Sequence, residues 1–253
     1  MSKSTYPSSE KLTFVLIHGA WHWGHSWDPV RKHLEAAGHT VHSPTVPFQD
    51  ADGKTIHSLS QSIQGVVDYI EENKVENFVL VGHSWGGVVI TDMASKIADG
   101  KIKRMIYHNA FIPTEGESQF DVAPPFARVF YKPIADASDD NSFDVPFPVF
   151  RDLFINDADL ELAKEVHKSL RRQPWGLWED KVTNTEAFYA MPPKIPRSVV
   201  FADGDCTIPL GMYEAMAGKL GLYRFIRIPT ASHEVMFSDP EALAKALILA
   251  GRE

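Results

Sequence analysis

Short apolar runs alternate with amphipathic stretches through the first hundred residues. Leu12-Thr13-Phe14-Val15-Leu16-Ile17 is nearly unbroken in its apolar character, the pattern of a strand covered on both faces. A helix is expected from Ser26 or Asp28 to Gly38, with Pro29 in its first turn. Thr40-Val41-His42 reads as a short strand. Ile56, Leu59, Ile63, Val67 and Ile70 recur at helical spacing and predict a helix from about Thr55 to Glu72. Phe78-Val79-Leu80-Val81 is the next strand, and Trp85 to Asp99, closed by Gly100, the next helix. Arg104-Met105-Ile106-Tyr107-His108 is the strand after it. This order predicts an α/β chain with a mostly parallel, doubly wound sheet carrying helices on both faces.

The rhythm breaks between Phe111 and Pro193. This stretch holds Pro124-Pro125-Phe126, Pro146-Phe147-Pro148 and Pro192-Pro193, and one clear amphipathic helix, about Asp157 to Arg172. That helix has acids at its start and Lys168, Arg171 and Arg172 at its end, as the helix dipole favours. No strand alternation is evident. Residues 111–193 are therefore expected to form a cap inserted into a core made of 1–110 and 194–253. The rhythm resumes at Arg197-Ser198-Val199-Val200-Phe201 and at Tyr223-Arg224-Phe225-Ile226-Arg227-Ile228, and a last helix opens at Asp239-Pro240.

Composition narrows the class. With 253 residues, 44% apolar and 23% charged, the chain suits one large soluble domain. A net charge of −8 and the lack of a basic stripe argue against a nucleic-acid partner. Met1 to Lys11 is polar, without a signal-peptide core, and no window approaches the roughly 18 apolar residues of a membrane span. The single cysteine, Cys206, rules out an internal disulfide and fits a reducing compartment. A cytoplasmic protein without membrane attachment is the expectation, and an exposed cap face would allow a homodimer.

Chemistry enters at Gly82-His83-Ser84-Trp85-Gly86. This is a G-x-S-x-G pattern placed between a strand and a helix, the setting of a nucleophile elbow. The glycines have a steric task, because side chains there would collide across the strained turn that presents Ser84. A serine hydroxyl needs a base to take its proton and an acid to orient that base. Both follow in chain order at strand ends. Ala202-Asp203-Gly204-Asp205-Cys206-Thr207-Ile208-Pro209 supplies Asp205 as the acid, with Asp203 read as a turn residue. Pro229-Thr230-Ala231-Ser232-His233 supplies His233 as the base, although eleven histidines make a surface histidine the bland alternative. Oxyanion donors are expected from the backbone N–H groups of Trp85 and of Ala20 in His18-Gly19-Ala20-Trp21.

Other residues are ambiguous. His22 and His25 form a pair without a third ligand, too little for a metal site, and are read as pocket-rim or surface residues. His83 is expected to pack beside its strand. Gly19, Trp21, Trp85, Phe111, Phe126, Trp175 and Trp178 are expected to line an apolar pocket between sheet and cap, with core packing the alternative for about half of the aromatics. No cofactor is called for; the partner would be a small-molecule ester.

These residues together resemble the α/β-hydrolase superfamily. Phe14 to Ala20, the elbow and the C-terminal tail look like the plant methyl esterase and hydroxynitrile lyase family, with its bacterial esterase relatives. The resemblance covers about 12–112 and 195–250 and is weak in the cap, and the spacing from Asp205 to His233 is similar. It implies one triad with two chemistries. The family's lyases carry threonine at Gly19 and a cyanide-stabilising lysine at Glu234, so an acid there favours ester hydrolysis. His108-Asn109 resembles the lyases instead. The expectation is a serine hydrolase acting on a small or medium carboxylic ester through an acyl-enzyme on Ser84. A carbon–carbon lyase of the hydroxynitrile type is the alternative, and a non-catalytic ligand-binding protein a third reading.

Overall fold

The computed structural model describes residues 10–191 and 193–252. The polar N-terminal stretch up to residue 9, and Pro192 of the Pro192-Pro193 pair, lie outside them. β1 (Thr13–Ile17), β2 (Thr40–His42), β3 (Phe78–His83) and β4 (Ile102–His108) come first in the chain. β5 (Ser142–Phe143) and β6 (Gln173–Pro174) follow, then β7 (Arg197–Ala202) and β8 (Arg224–Ile228). Six of them form one sheet in the order β2-β1-β3-β4-β7-β8, and every pairing in it is parallel.

Alternation along β1 explains why its run is apolar throughout. Phe14 and Leu16 point into a core shared with Trp27, Leu34 and Leu247. Val15 and Ile17 point the other way, into a core shared with Ile63, Val88 and Trp85. Successive side chains of a strand face opposite sides, so a sheet clothed on both sides needs no polar positions.

Helix bounds are tighter than the periodicity predicts, for local reasons. α1 spans Asp28–Ala36, preceded by a 3-10 turn at Gly24–Trp27. α2 spans Leu59–Glu72 and begins late because Ser58 caps it, accepting from the Gln61 N–H. α3 spans Gly86–Met93, short of Asp99. The Ser95 hydroxyl donates to the Asp92 carbonyl at its end, competing with a further helical turn.

The sheet has a gap in sequence but not in space. β4 pairs directly with β7, so residues 109–196 leave the sheet and return to it. This segment holds α4 (Gln119–Val122), α5 (Phe126–Asp136) and a helix over Leu160–Lys168. The last is shorter than the charge pattern suggests. Asp159 caps it, accepting from the Leu162 N–H at 2.8 Å, and the chain beyond Lys168 is drawn off to contacts described below. The segment also contains strand structure that the sequence does not betray, the antiparallel pair β5-β6. With two residues per strand, no alternation exists to be read. No helix of the described residues is long and apolar enough to cross a membrane.

Candidate active site

Ser84 follows the last residue of β3 with φ +54°, a left-handed conformation that a non-glycine residue adopts only under constraint. The constraint is visible. The Ser84 N–H donates to the His108 carbonyl at 3.2 Å, and its carbonyl accepts from Gly87 at 3.0 Å and Phe111 at 3.1 Å. A Cβ on Gly82 would lie 2.6 Å from the Gly86 oxygen, and one on Gly86 2.7 Å from the Ile17 oxygen. Glycine is therefore required on both sides of the turn.

His233 and Asp205, expected from chain order alone, meet. The His233 Nδ1–H donates to Asp205 Oδ2 at 2.7 Å, with both side chains buried. Asp205 Oδ1 accepts from the backbone N–H and the hydroxyl of Thr207, each at 2.7 Å. Burial alone would lower the His233 pKa, but the charge and hydrogen bond of Asp205 more than reverse this and leave it raised. Burial likewise opposes ionisation of Asp205, and His233 and Thr207 overcome it, so its pKa is lowered. Asp203 is elsewhere, accepting from Arg227 Nε at 2.8 Å.

The histidine is held by its backbone. Its carbonyl accepts from His83 Nε2 at 3.0 Å, the next N–H (Glu234) donates to the Phe154 carbonyl, and the preceding one (Ser232) to Asp157. His83 is thus buried on β3 as a prop for the His233 loop. Burial, with His233 nearby, keeps its pKa well below the ordinary value. Ser84 Oγ itself makes no hydrogen bond among the described residues.

The loop after β1 is oriented from two directions. His18 Nδ1–H donates to the Gly19 carbonyl at 2.8 Å, while its Nε2 accepts from the Val46 N–H at 2.9 Å. Burial first, then the Arg171 charge, keeps His18 neutral. Fixing the Gly19 carbonyl fixes the opposed N–H of the same peptide, that of Ala20. From the other side, the Arg171 N–H donates to the Trp21 carbonyl at 2.7 Å and its Nε to the His22 carbonyl at 2.6 Å. Gln173 Oε1 accepts from the Trp21 N–H at 3.2 Å. Trp21 is held at φ +61° by these bonds. Burial lowers the Arg171 pKa to about 9, so the guanidinium stays charged at neutral pH, stacked 3.4 Å over Phe48.

Ser84 and Thr207 open onto a cavity. Trp21, Phe111, Phe126 and Trp178 line it as expected. Gly19, Trp85 and Trp175 are not on this wall, and Trp85 is fully buried in the core beside the sheet. Gly19 lies beneath the serine, where a Cβ would sit 3.0 Å from Ser84 Cβ. Trp175 is buried behind the wall, its ring 4.5 Å from Phe120 and 5.6 Å from Phe143. Gln119, Ala123, Pro124, Ala127, Tyr131, Leu153 and Phe154 also line it, without a signal in the sequence. They belong to the 109–196 segment, whose irregular pattern gives no facing to read.

His22 also differs from expectation. It is buried, its Nε2–H donating to Glu234 Oε1 at 3.0 Å while the Ser26 hydroxyl donates to its Nδ1 at 3.1 Å. Glu234 is therefore engaged with His22 and does not line the cavity. His25 is exposed and stacks on Trp23, and Cys206 is an exposed free thiol.

Known proteins resemble this chain to differing extents. The carbendazim hydrolyzing esterase of Nocardioides sp. (strain SG-4G) is 38% identical over 117 residues, 44% of this chain and 47% of that one. The match thus spans about half the length of that relative. Methylesterase 7 of Arabidopsis thaliana is 27% identical over 93% of this chain and 94% of its own. An extracellular alpha/beta-hydrolase from a Paenibacillus species superposes with TM-score 0.88 at 33% identity, covering 96% of this chain and all of that one. That protein is described as sharing structural and functional homology with tobacco salicylic acid binding protein 2. With its parallel sheet, its serine elbow and a pattern that matches over residues 14–246, the chain belongs to the alpha/beta hydrolase family.

Proposed function

We propose that the protein is a serine esterase that cleaves a small or medium carboxylic ester through an acyl-enzyme on Ser84. The broader class, carboxylic ester hydrolase, follows from the family and its esterase relatives. The observation that carries the finer reading is the buried 2.7 Å contact of His233 with Asp205, beside a strained serine that opens onto an apolar cavity.

In this reading His233 Nε2 takes the Ser84 proton as Oγ attacks the ester carbonyl. The Ala20 and Trp85 N–H groups receive the negative charge on the carbonyl oxygen; one such donor is typically worth about 3 kcal/mol in the transition state. Collapse expels the alcohol, which leaves with the proton from His233. Water, deprotonated by His233, then attacks the acyl-enzyme, and the acid departs as Ser84 regains its proton. Residues 111–193 serve as the cap that closes the acyl pocket.

The lyase reading is less well supported. Glu234, where the resembling lyases carry lysine, is paired with His22 and puts no cation near the serine. The primary test is turnover of p-nitrophenyl acetate and butyrate by the native protein and by Ser84→Ala. Native turnover abolished in a folded Ser84→Ala preparation is the expected result; undiminished turnover in the variant rules the acyl-enzyme out.

A further inference from the structure

The residue after His233 is an acid, and the fold buries it. Glu234 and His22 are each 2% exposed, and the His22 Nε2–H donates to Glu234 Oε1 at 3.0 Å. The second oxygen, Oε2, is buried without a partner among the described residues. Such a pair is a costly way to fill a core, since apolar side chains of similar volume are often neutral or stabilising in its place. Stability therefore does not explain it. Neither residue lines the cavity beside Ser84, so contact with substrate does not explain it either.

Its two ends sit in different parts of the site. Backbone bonds hold the His233 loop to β3, through His83 Nε2, and to the 109–196 segment, through the Phe154 carbonyl and Asp157. None of these reaches the loop after β1, which carries Ala20. Among the described residues, the hydrogen bond that joins the two loops is the one from His22 to Glu234. One end is next to the base in the chain, and the other is two residues from Ala20. The His22 end is itself fixed. The Trp23 N–H donates to the Ser26 hydroxyl at 3.3 Å, and that hydroxyl donates to His22 Nδ1 at 3.1 Å. With Nδ1 taken as an acceptor, the ring proton lies at Nε2, facing Glu234.

We infer that Glu234 is a positioning residue: through His22 it sets the base loop against the loop proposed to supply the Ala20 oxyanion donor. This rests on the serine esterase reading above. His233 Nε2 and the Ala20 N–H must address one reacting centre from two directions. A shift of either by part of an ångström costs more in the transition state than in binding. An acid serves here where an alkyl side chain would not, because its oxygen accepts a directed bond from the ring. An apolar residue in its place would fill the space and leave the two loops joined by packing alone.

Turnover of p-nitrophenyl butyrate by three variants tests this. Glu234→Met and His22→Phe each remove the bond and keep the bulk. Each is expected to lower kcat by about tenfold or more while KM changes by less than about threefold, because the cavity wall is untouched. Glu234→Gln keeps an acceptor for the His22 N–H and is expected to hold kcat within about threefold of the native value. That rescue, and a loss confined to kcat, separate positioning from general packing. Three results overturn the inference and leave the esterase reading intact: native kcat in either folded variant lacking the bond, a loss that falls mainly on KM, or a Glu234→Gln loss as large as that of Glu234→Met. If neither Glu234→Met nor His22→Phe folds, the pair serves the fold and the inference falls. No turnover of any ester by the native protein overturns both readings.

Discussion

Asn109 Nδ2 donates at 2.7 Å to Asp205 Oδ2, the same oxygen that receives the Nδ1–H of His233. The other end of the Asn109 amide accepts the Ala202 N–H at 2.8 Å, so the residue ties the end of β4 to the end of β7. The likeness of His108-Asn109 to lyase sequences thereby acquires a neutral meaning. The asparagine holds the carboxylate on which either chemistry would draw, and it does not discriminate between them.

Removing this amide should weaken the site without unfolding it. Asn109 sits at φ +43°, so glycine is the replacement that adds no backbone strain. A hydrogen bond to a buried charged group is worth about 1.5–3 kcal/mol, which predicts a fall in kcat/KM of roughly ten- to a hundredfold for Asn109→Gly. Ester kinetics and a melting curve on one preparation check this; an unaltered kcat/KM would remove Asn109 from the supporting network.

The pH profile follows from the raised pKa of His233. Its neutral form is the base, so kcat/KM should climb with pH and reach half its plateau above the ordinary histidine value of about 6.5. In Asp205→Asn only the Glu234 charge still opposes burial, and the midpoint of any remaining activity should fall below that value, with a loss on the order of 10⁴-fold in kcat. The two groups have opposite linkage to stability. What His233 contributes is present below about pH 6.5 and fades as pH rises through its folded pKa; what Asp205 contributes is present above about pH 4 and fades as pH falls through its lowered one. A native midpoint below 6.5 would contradict the coupling.

Gly19→Thr converts one position to the residue of the resembling lyases. Here the new Cβ would approach His83 Nδ1 to 2.9 Å and Ser84 Cβ to 3.0 Å. Displacing the serine by even part of an ångström should lower esterase activity by about a hundredfold, with no cyanide released from mandelonitrile. Rapid cyanide release by the variant, or by the native protein, would restore the lyase reading.

The Arg171 guanidinium donates to the His22 carbonyl at 2.6 Å and to the Val46 carbonyl at 2.7 Å, and lies 3.3 Å from His18 Nε2 in the loop after β1. Arg171→Met keeps much of the stem over Phe48 and deletes the donors. The expected result is a drop in kcat of about tenfold or more with a smaller change in KM, because the Ala20 N–H matters most when charge develops. Lysine should not rescue it, lacking the planar fork that reaches both carbonyls. A pure KM effect would place Arg171 in substrate binding instead.

How much of this was legible in the sequence varies with the kind of signal. The order of the core strands is legible, and so is the placing of Ser84, Asp205 and His233 after strand ends, because chain order marks each. The bonds of Thr207 and Asn109 to Asp205 are not legible, since a hydrogen bond to a carboxylate leaves no periodic mark. His22 was misjudged as a rim residue because its partner, Glu234, is distant in sequence. Trp175 looked like pocket lining for want of any facing signal in an irregular segment. Gln119 was invisible, since only burial without a partner distinguishes it from a surface glutamine.

The bonds from Arg171 and Gln173 to Trp21 and His22 carry an evolutionary consequence. The segment that lines the cavity also buttresses the loop proposed to supply an oxyanion donor, so in that reading substrate range and turnover are not independently heritable. A chimera taking residues 111–193 from a relative should work only if it also inherits a matching stretch at 18–23. Recombination points placed between those two stretches would separate partners that need to be inherited together.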